Sequence, residues 1–293
     1  MDIETLTFEE FKDLPLVTEG ESKEVRYAGD GEVIIRLKPT IYSYTHNRTG
    51  EIEGSDTLRL QAIQGLLVPL REAGVAHSYR AVNDRWISSG LILQPATVED
   101  PSPFRPADVS PEAQAALPVA PPIEVVAKRV HSGTPKHRYY RFGSYTVRAS
   151  HPEFAGQKLG VDQDYPEPIV RFDWRNPMHS AEGERLADEV LPEPMADWFI
   201  DTIKARETAH TAFDALTKFL GEKGLELWDI CFFVTEDGTK LFGEVSPDCM
   251  RVRAKDGTSL DKDIWRSGGS SDLLLAKWQA FADLVVDKEP AYV

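Results

Sequence analysis

Two cysteines, Cys231 and Cys249, fall inside the stretch Leu227–Arg251 (LWDICFFVTEDGTKLFGEVSPDCMR), which reads as strand, turn, strand around a hairpin loop at Glu236-Asp237-Gly238. A thiolate in such a strand is a nucleophile if nearby cations lower its pKa; a cysteine in an apolar strand otherwise simply packs. There is no CxxC and no histidine at ligand spacing, so no zinc or other metal site is expected from these residues. Two histidines, His131 and His137, flank Gly133-Thr134 and could act as general acid or base near neutral pH. Arg251 and Arg266 are suited to phosphate or carboxylate through paired donors. The run His137-Arg138-Tyr139-Tyr140-Arg141-Phe142 could stack nucleic-acid bases, but it is read more simply as a strand with one wet face.

Composition supports the plainer reading of that run. The 293 residues are 41% hydrophobic and 10% aromatic, enough for a large core in one two-lobed domain or two small ones. A net charge of -15 disfavours binding to nucleic acid or to an anionic membrane, both of which call for clustered positive charge. Two cysteines form no disulfide framework, and the N-terminal MDIETLTFEEFKDL has no basic leader followed by an apolar core. No segment reaches about 18 apolar residues. A cytoplasmic protein is expected.

The positioning elements follow from periodicity. Alternation on both sides of Ala28-Gly29-Asp30-Gly31 predicts a hairpin over Lys23–Leu37, placed at a sheet edge. Leu60, Ile63, Leu66, Leu67 and Leu70 predict a helix over Asp56–Glu72, with Asp56 as cap and Pro69 as a kink or early end. Strands are expected at Trp86–Leu93 and Ile123–Val130, separated by a Pro-rich surface excursion, and a strand pair over Arg138–Arg148. A long helix is expected over Met195–Leu220, burying Trp198, Phe199, Ile203, Phe213, Leu216 and Phe219, and a terminal helix over Ser271–Val286. The order suits a mixed α+β enzyme.

With these elements in place, the stretch Leu227–Arg251 resembles the signature of the SAICAR synthetase family, W/V-D-x-K-x-E-F-G followed by G-D-E-x-S-P-D-x-x-R. Members are ATP-dependent ligases that join aspartate to a phosphoribosyl imidazole carboxylate in purine synthesis. Other blocks are similar too: Gly20-Glu21-Ser22-Lys23 to G-K-x-K, Pro122-Ile123-Glu124-Val125-Val126-Ala127-Lys128 with Gly133-Thr134 to P-x-E-V-V-V-R…G-S, and Asp261-Lys262-Asp263-Ile264-Trp265-Arg266 to D-K-D-x-x-R. The resemblance implies an α+β, ATP-grasp-like architecture of two lobes: residues 1–121 as the β-rich nucleotide lobe and residues 122–293 as the lobe holding the ribotide.

It implies a ribotide site at Lys128, Thr134, Ser246, Asp248, Arg251, Lys262 and Arg266, with Lys23 toward the nucleotide. Asp229, His131 or His137, and Cys231 are then the candidate proton carriers or nucleophile. The departures are equally specific. Cys231, Phe233 and Gly243 stand where the family has its Lys, Glu and Asp, and Glu21 replaces the first Lys of G-K-x-K. Pro39–Thr45 and Asn176-Pro177-Met178-His179 resemble two further family segments with the acids removed. Mg²⁺ is ordinarily bound through one or two carboxylates plus substrate phosphates. The expected protein is thus a family-like enzyme acting on a phosphorylated imidazole or purine nucleoside without the usual ATP and Mg²⁺ activation, in specialised nucleoside biosynthesis of the coformycin or pentostatin type. Its cofactor is unknown.

The alternative is the orthodox ligase, for which Mg-ATP would be the cofactor and Glu244, Asp237 and Asp30 the substitute ligands. A third is a nucleotide-binding pseudoenzyme. The family often forms dimers or larger assemblies, so a homo-oligomer is also allowed.

Overall fold

The computed structural model describes residues 1–43, 48–133, 139–177, 179–184 and 186–286. Thr134 and His137, two of the candidate site residues, lie outside them, as does the start of the predicted Arg138–Arg148 strand pair.

The N-terminal half is built on a five-stranded antiparallel sheet. Its strands are β1 (Leu16–Glu19), β2 (Lys23–Gly29), β3 (Glu32–Leu37), β6 (Tyr79–Val82) and β7 (Ile87–Gly90), with β4 (Thr40–Ser43) and β5 (Arg48–Glu51) forming a separate ribbon. The β2–β3 hairpin turns through Gly29, Asp30 and Gly31, all with positive φ, as its glycine-rich sequence predicts. It does not form the sheet edge, because β1 pairs with β2 and β7 with β3.

The second sheet has six strands, all antiparallel. β8 (Ile123–Val130) lies between β9 (Asp164–Trp174) and β11 (Leu225–Val234); β10 (Glu189–Leu191) pairs with β9, while β12 (Leu241–Phe242) and β13 (Met250–Ala254) pair with successive parts of β11. The 11-residue β9 escapes a reading by alternation, since Pro166, Pro168 and two acidic residues interrupt it. The strand pair expected at Arg138–Arg148 is absent from its described part. Residues 139–148 carry a single 3-10 turn at Phe142–Ser144, and Tyr140 and Tyr145 are exposed.

Short helices α1 (Phe8–Asp13), α3 (Pro111–Gln114), α4 (Glu193–Ala196) and α6 (Asp263–Arg266) accompany three long ones. α2 (Ser55–Glu72) buries Leu60, Ile63, Leu66, Leu67 and Leu70 and carries Pro69 in its last turn without ending there. Gly54, not Asp56, occupies the N-cap; Asp56 lies in the first turn, where a carboxylate suits the helix dipole.

α5 (Thr202–Glu222) begins only after Asp201, whose side chain accepts from the Lys204 amide. Its buried face is Ala205, Ala209, Ala212, Phe213, Leu216 and Leu220, whereas Trp198 and Ile203 are 72% and 69% exposed. The bulky residues misdirect the sequence reading here, because small alanines let α5 lie close to the sheet. α7 (Ser271–Val285) packs on α2, where a Cβ on Gly65 would lie 2.3 Å from the Val285 carbonyl oxygen. One large apolar cluster runs through both sheets and α2, α5 and α7. No described helix is long and apolar enough to cross a membrane.

Candidate functional site

Register places the polar constellation. Asp229 of β11 stands opposite Lys128 of β8 and opposite Arg251 of β13, so three strands deliver two cations to one carboxylate. Lys128 is 1% exposed and donates to Asp229, to the Ser132 hydroxyl at 3.1 Å and to the Ser132 carbonyl at 2.9 Å. Arg251 donates to both Asp229 oxygens at 3.0 and 2.9 Å and to Asp263 at 3.2 Å. Gly133, at φ +63°, makes room for that guanidinium: a Cβ there would lie 2.8 Å from an Arg251 nitrogen. Asp263 also accepts from Arg253 and Arg266, each at 2.6 Å.

Burial alone would raise the Asp229 pKa, but Arg251 and Lys128 outweigh it and hold the carboxyl well below the usual carboxylate range. An acid so firmly ionised is a poor proton carrier. Asp229 therefore orients Arg251, and Lys128 is a buried strut behind it.

Two adjoining cavities open beside this network, of about 550 and 720 Å³. The first is walled by Asp229, Cys231, Asp248, Arg251, Lys262 and Arg266, on β11 and the segments that follow it. The second lies against the first sheet and is walled by Val33, Ile35, Ser89, Leu91 and Phe242. Lys23, Arg175, Asn176 and Phe233 border both.

Three candidate residues are placed away from the walls. Lys128 is one. Ser246 is fully buried, donating to Glu244 and accepting from the Asp248 amide at 3.1 Å. His131 is 2% exposed, stacks on Phe142 and shares a 2.9 Å hydrogen bond with the Tyr165 hydroxyl. Burial and then Lys128 lower its pKa, which keeps the ring neutral and structural.

Cys231 does border the first cavity, but burial, then Glu124 and Asp229, push its thiol well above its ordinary value. Arg171, the cation that acts to lower it, is paired with Asp173, so nucleophilic catalysis is disfavoured.

Glu124 is the wall residue that the sequence reading passed over. It sits on β8 inside a family-like block, yet its side chain makes no hydrogen bond or ion pair to any described residue. Burial, followed by the proximity of Asp188, raises its pKa to about 7. A carboxyl that exchanges its proton near neutrality and faces a cavity suits acid-base work.

The donors needed for a metal-bound triphosphate are poorly met. A Cβ on Gly243 (φ +93°) would lie 2.4 Å from Cδ2 of Phe233, so the two positions that lack carboxylates have closed on each other. Glu244 is tied to the fully buried Arg59 at 2.7 and 2.5 Å and accepts from Ser246; Asp248 pairs with Lys262 at 2.9 Å. Glu244, Asp248 and Cys249 do bring three donor atoms within 4.8 Å of one another. Two are already neutralised by cations, and the Cys249 thiol is held protonated by burial and the neighbouring Glu244. This set does not fit Mg²⁺, which prefers free carboxylate oxygens. The other two substitute ligands considered from the sequence lie elsewhere: Asp237 is held in its turn by Thr235 and Thr239, and Asp30 is at the tip of the β2–β3 hairpin.

Comparison with known proteins agrees with the architecture. The fold is similar to a phosphoribosylaminoimidazole-succinocarboxamide synthase from Ehrlichia chaffeensis, with TM-score 0.68 and 17% identity over 92% of this chain and 98% of that one. It is also similar to a type-2 SAICAR synthetase in complex with ADP, with TM-score 0.66 and 22% identity over 95% of this chain and 100% of that one. In sequence, the bifunctional cordycepin biosynthesis cluster protein 3 of Cordyceps militaris is 27% identical over 89% of this chain; the chain spans 32% of that relative's length. The family model described as SAICAR synthetase matches residues 16–279, and the chain belongs to the SAICAR synthetase family.

Proposed function

We propose that this chain is an enzyme acting on a phosphoribosyl-imidazole or purine-related nucleotide in specialised purine-nucleoside biosynthesis, and that it has given up activation by Mg-ATP. The observation that carries the reading is the closure of Phe233 onto Gly243, which removes two carboxylates from the junction of the cavities and leaves Glu244 paired with Arg59. The polar half of the cleft supports a nucleotide substrate: Arg251, Lys262 and Arg266 gather at the wall of the first cavity, where guanidinium and ammonium groups suit a phosphate or carboxylate. The cordycepin-cluster relative supports a place in nucleoside-antibiotic chemistry.

In this reading Arg251 and Arg266 bind and orient the anionic end of the substrate, held in place by Asp229 and Asp263. Glu124 gives or takes a proton at the base or ribose, and Cys231 packs beneath. A thermal-shift panel of imidazole ribotides, purine nucleotides and Mg-ATP tests it, because a ligand at a hundred times its Kd stabilises the folded state by about 2.7 kcal/mol. Stabilisation by a ribotide or purine nucleotide is expected without any help from Mg²⁺. Release of ADP when ribotide, aspartate and Mg-ATP are combined would instead make the chain an orthodox ligase, and ribotide binding without turnover of any kind would make it a pseudoenzyme.

A further inference from the structure

Cys231 on β11 stands opposite Cys249, the residue that leads into β13. Asp229 pairs with Arg251 and Ile230 with Met250, so one further step of the ladder brings the two cysteines together. The step is made: the Cys231 amide donates to the Cys249 carbonyl oxygen at 2.9 Å. Directly opposed residues of an antiparallel pair have Cα atoms about 4.5–5.5 Å apart, inside the range of about 4.4–6.8 Å that a disulfide spans. On its other side Cys231 meets Val126 of β8, which offers the thiol no competing partner.

Alternation decides where the two side chains point. Asp229 and Cys231 share one face of β11, and Cys249 shares that face with Arg251, whose guanidinium meets Asp229 there. This face is the floor of the first cavity, which both cysteines border. Both are free and half-buried, so a small reagent reaches them through the cavity. The sulfurs are near enough for the Cys231 thiol to be among the groups that raise the pKa of Cys249. Burial first, then Glu124, Asp229 and Asp173 against Arg171 at Cys231, and Glu244 and Asp248 against Lys262 at Cys249, keep both thiols protonated at neutral pH. Exchange starts from the thiolate fraction, so this environment slows the reaction without preventing it.

We infer that Cys231 and Cys249 are a redox modification site, a cross-strand dithiol that a low-molecular-weight disulfide such as glutathione disulfide converts into a Cys231–Cys249 disulfide across the floor of the first cavity. One cysteine thiolate attacks a sulfur of glutathione disulfide, forming a mixed disulfide and expelling one glutathione thiolate. The other cysteine thiolate attacks the protein sulfur of that mixed disulfide, forming the Cys231–Cys249 bond and expelling the second glutathione. Two electrons pass from the protein to glutathione disulfide, and the two cysteine protons end on the two glutathiones released. The bond closes the segment that carries Phe233, Gly243, Glu244 and Asp248 into a covalent loop. The Cys249 sulfur lies within 4.8 Å of carboxylate oxygens of Glu244 and Asp248, so engaging it alters the cavity wall beside the Asp248–Lys262 pair.

The test incubates the folded protein with glutathione disulfide and follows free thiols, intact mass and an unreduced tryptic digest. Both thiols should be lost, with the mass lowered by two hydrogens and no glutathione retained. The digest should join peptide 224–240, which holds Cys231, to peptide 241–251, which holds Cys249, and dithiothreitol should separate them again. Cys231→Ser and Cys249→Ser should each retain one glutathione on the remaining thiol, because the partner that resolves the mixed disulfide is gone; melting curves establish that the variants are folded, and the parent protein decides the matter if they are not. Two glutathiones retained on the parent, cross-links between chains in place of the internal one, or thiols that stay free in the folded protein while reacting in urea would overturn the site. These readouts involve neither a ribotide nor Mg-ATP, so they stand or fall apart from the functional reading.

Discussion

Asp229 and Arg251 face each other across β11 and β13, and one guanidinium nitrogen donates to both carboxylate oxygens, at 3.0 and 2.9 Å. With Lys128 on the other side, the carboxylate is shared by two buried or half-buried cations, of which Arg251 also reaches Asp263. Asp229→Asn would leave Lys128 without its counterion and Arg251 with Asp263 alone. Breaking a buried pair in this way costs about 3–5 kcal/mol. Urea denaturation of the variant should show a loss of that order; a loss below about 1 kcal/mol would mean that the pair is not holding the strands together.

The same pairing gives a pH dependence. The folded-state pKa of Asp229 lies below the value of about 3.9 for an unfolded aspartate, so the native state binds fewer protons. Its contribution is fully present above about pH 5 and is lost as pH falls toward the folded-state pKa. Denaturation midpoints measured from pH 6 down to pH 3 should fall more steeply in the parent protein than in Asp229→Asn.

Glu124 has the opposite sign. Its folded-state pKa of about 7 exceeds the value of about 4.3 for an unfolded glutamate, so between them the native state binds more protons and stability declines as pH rises. Glu124→Gln should remove that slope and stabilise the protein at pH 8 by on the order of 2 kcal/mol, while abolishing turnover of the nucleotide substrate. The parent's pH-rate profile should carry a limb with a midpoint near 7. A variant that is both less stable at pH 8 and fully active would refute the assignment.

Gly243 and Phe233 should behave as one unit. Gly243→Ala places a methyl group at positive φ and 2.4 Å from the ring, and overpacking together with backbone strain should cost about 2–4 kcal/mol. Adding Phe233→Ala clears the space, so the double variant should be less destabilised than the two single losses summed. A double-mutant cycle with no coupling would contradict the close approach.

The face of α5 offers a packing test. Ala209→Leu, at a fully buried position, should cost about 1–3 kcal/mol, whereas Ile203→Ser, on the exposed side, should change stability by less than about 0.5 kcal/mol. Reversed effects would mean that Ile203, and not Ala209, faces the sheet.

Much of the fold was legible in the chain before any coordinates. The β2–β3 hairpin, β8, α2 and α7 follow from periods of 2 and 3.6 and from glycine at the turns. The misreadings have physical causes as specific. Two prolines mask β9, alanines share the contact face of α5 with Phe213 and Leu216 while Trp198 and Ile203 point outward, and the aromatic run after residue 138 that suggests a strand is an exposed turn.

By itself the sequence determined the family, the α+β class and the identity of the replaced positions, because those are properties of residue type and order. Tertiary structure decided what each residue does. It committed Asp229, Lys128 and Ser246 to internal bonds, kept the thiols of Cys231 and Cys249 protonated, and left the side chain of Glu124 beside a cavity with no hydrogen bond or ion pair to a described residue. Whether a charge is spent or available depends on which strand faces it, and antiparallel pairing brings together residues about a hundred positions apart, as with Lys128 and Asp229.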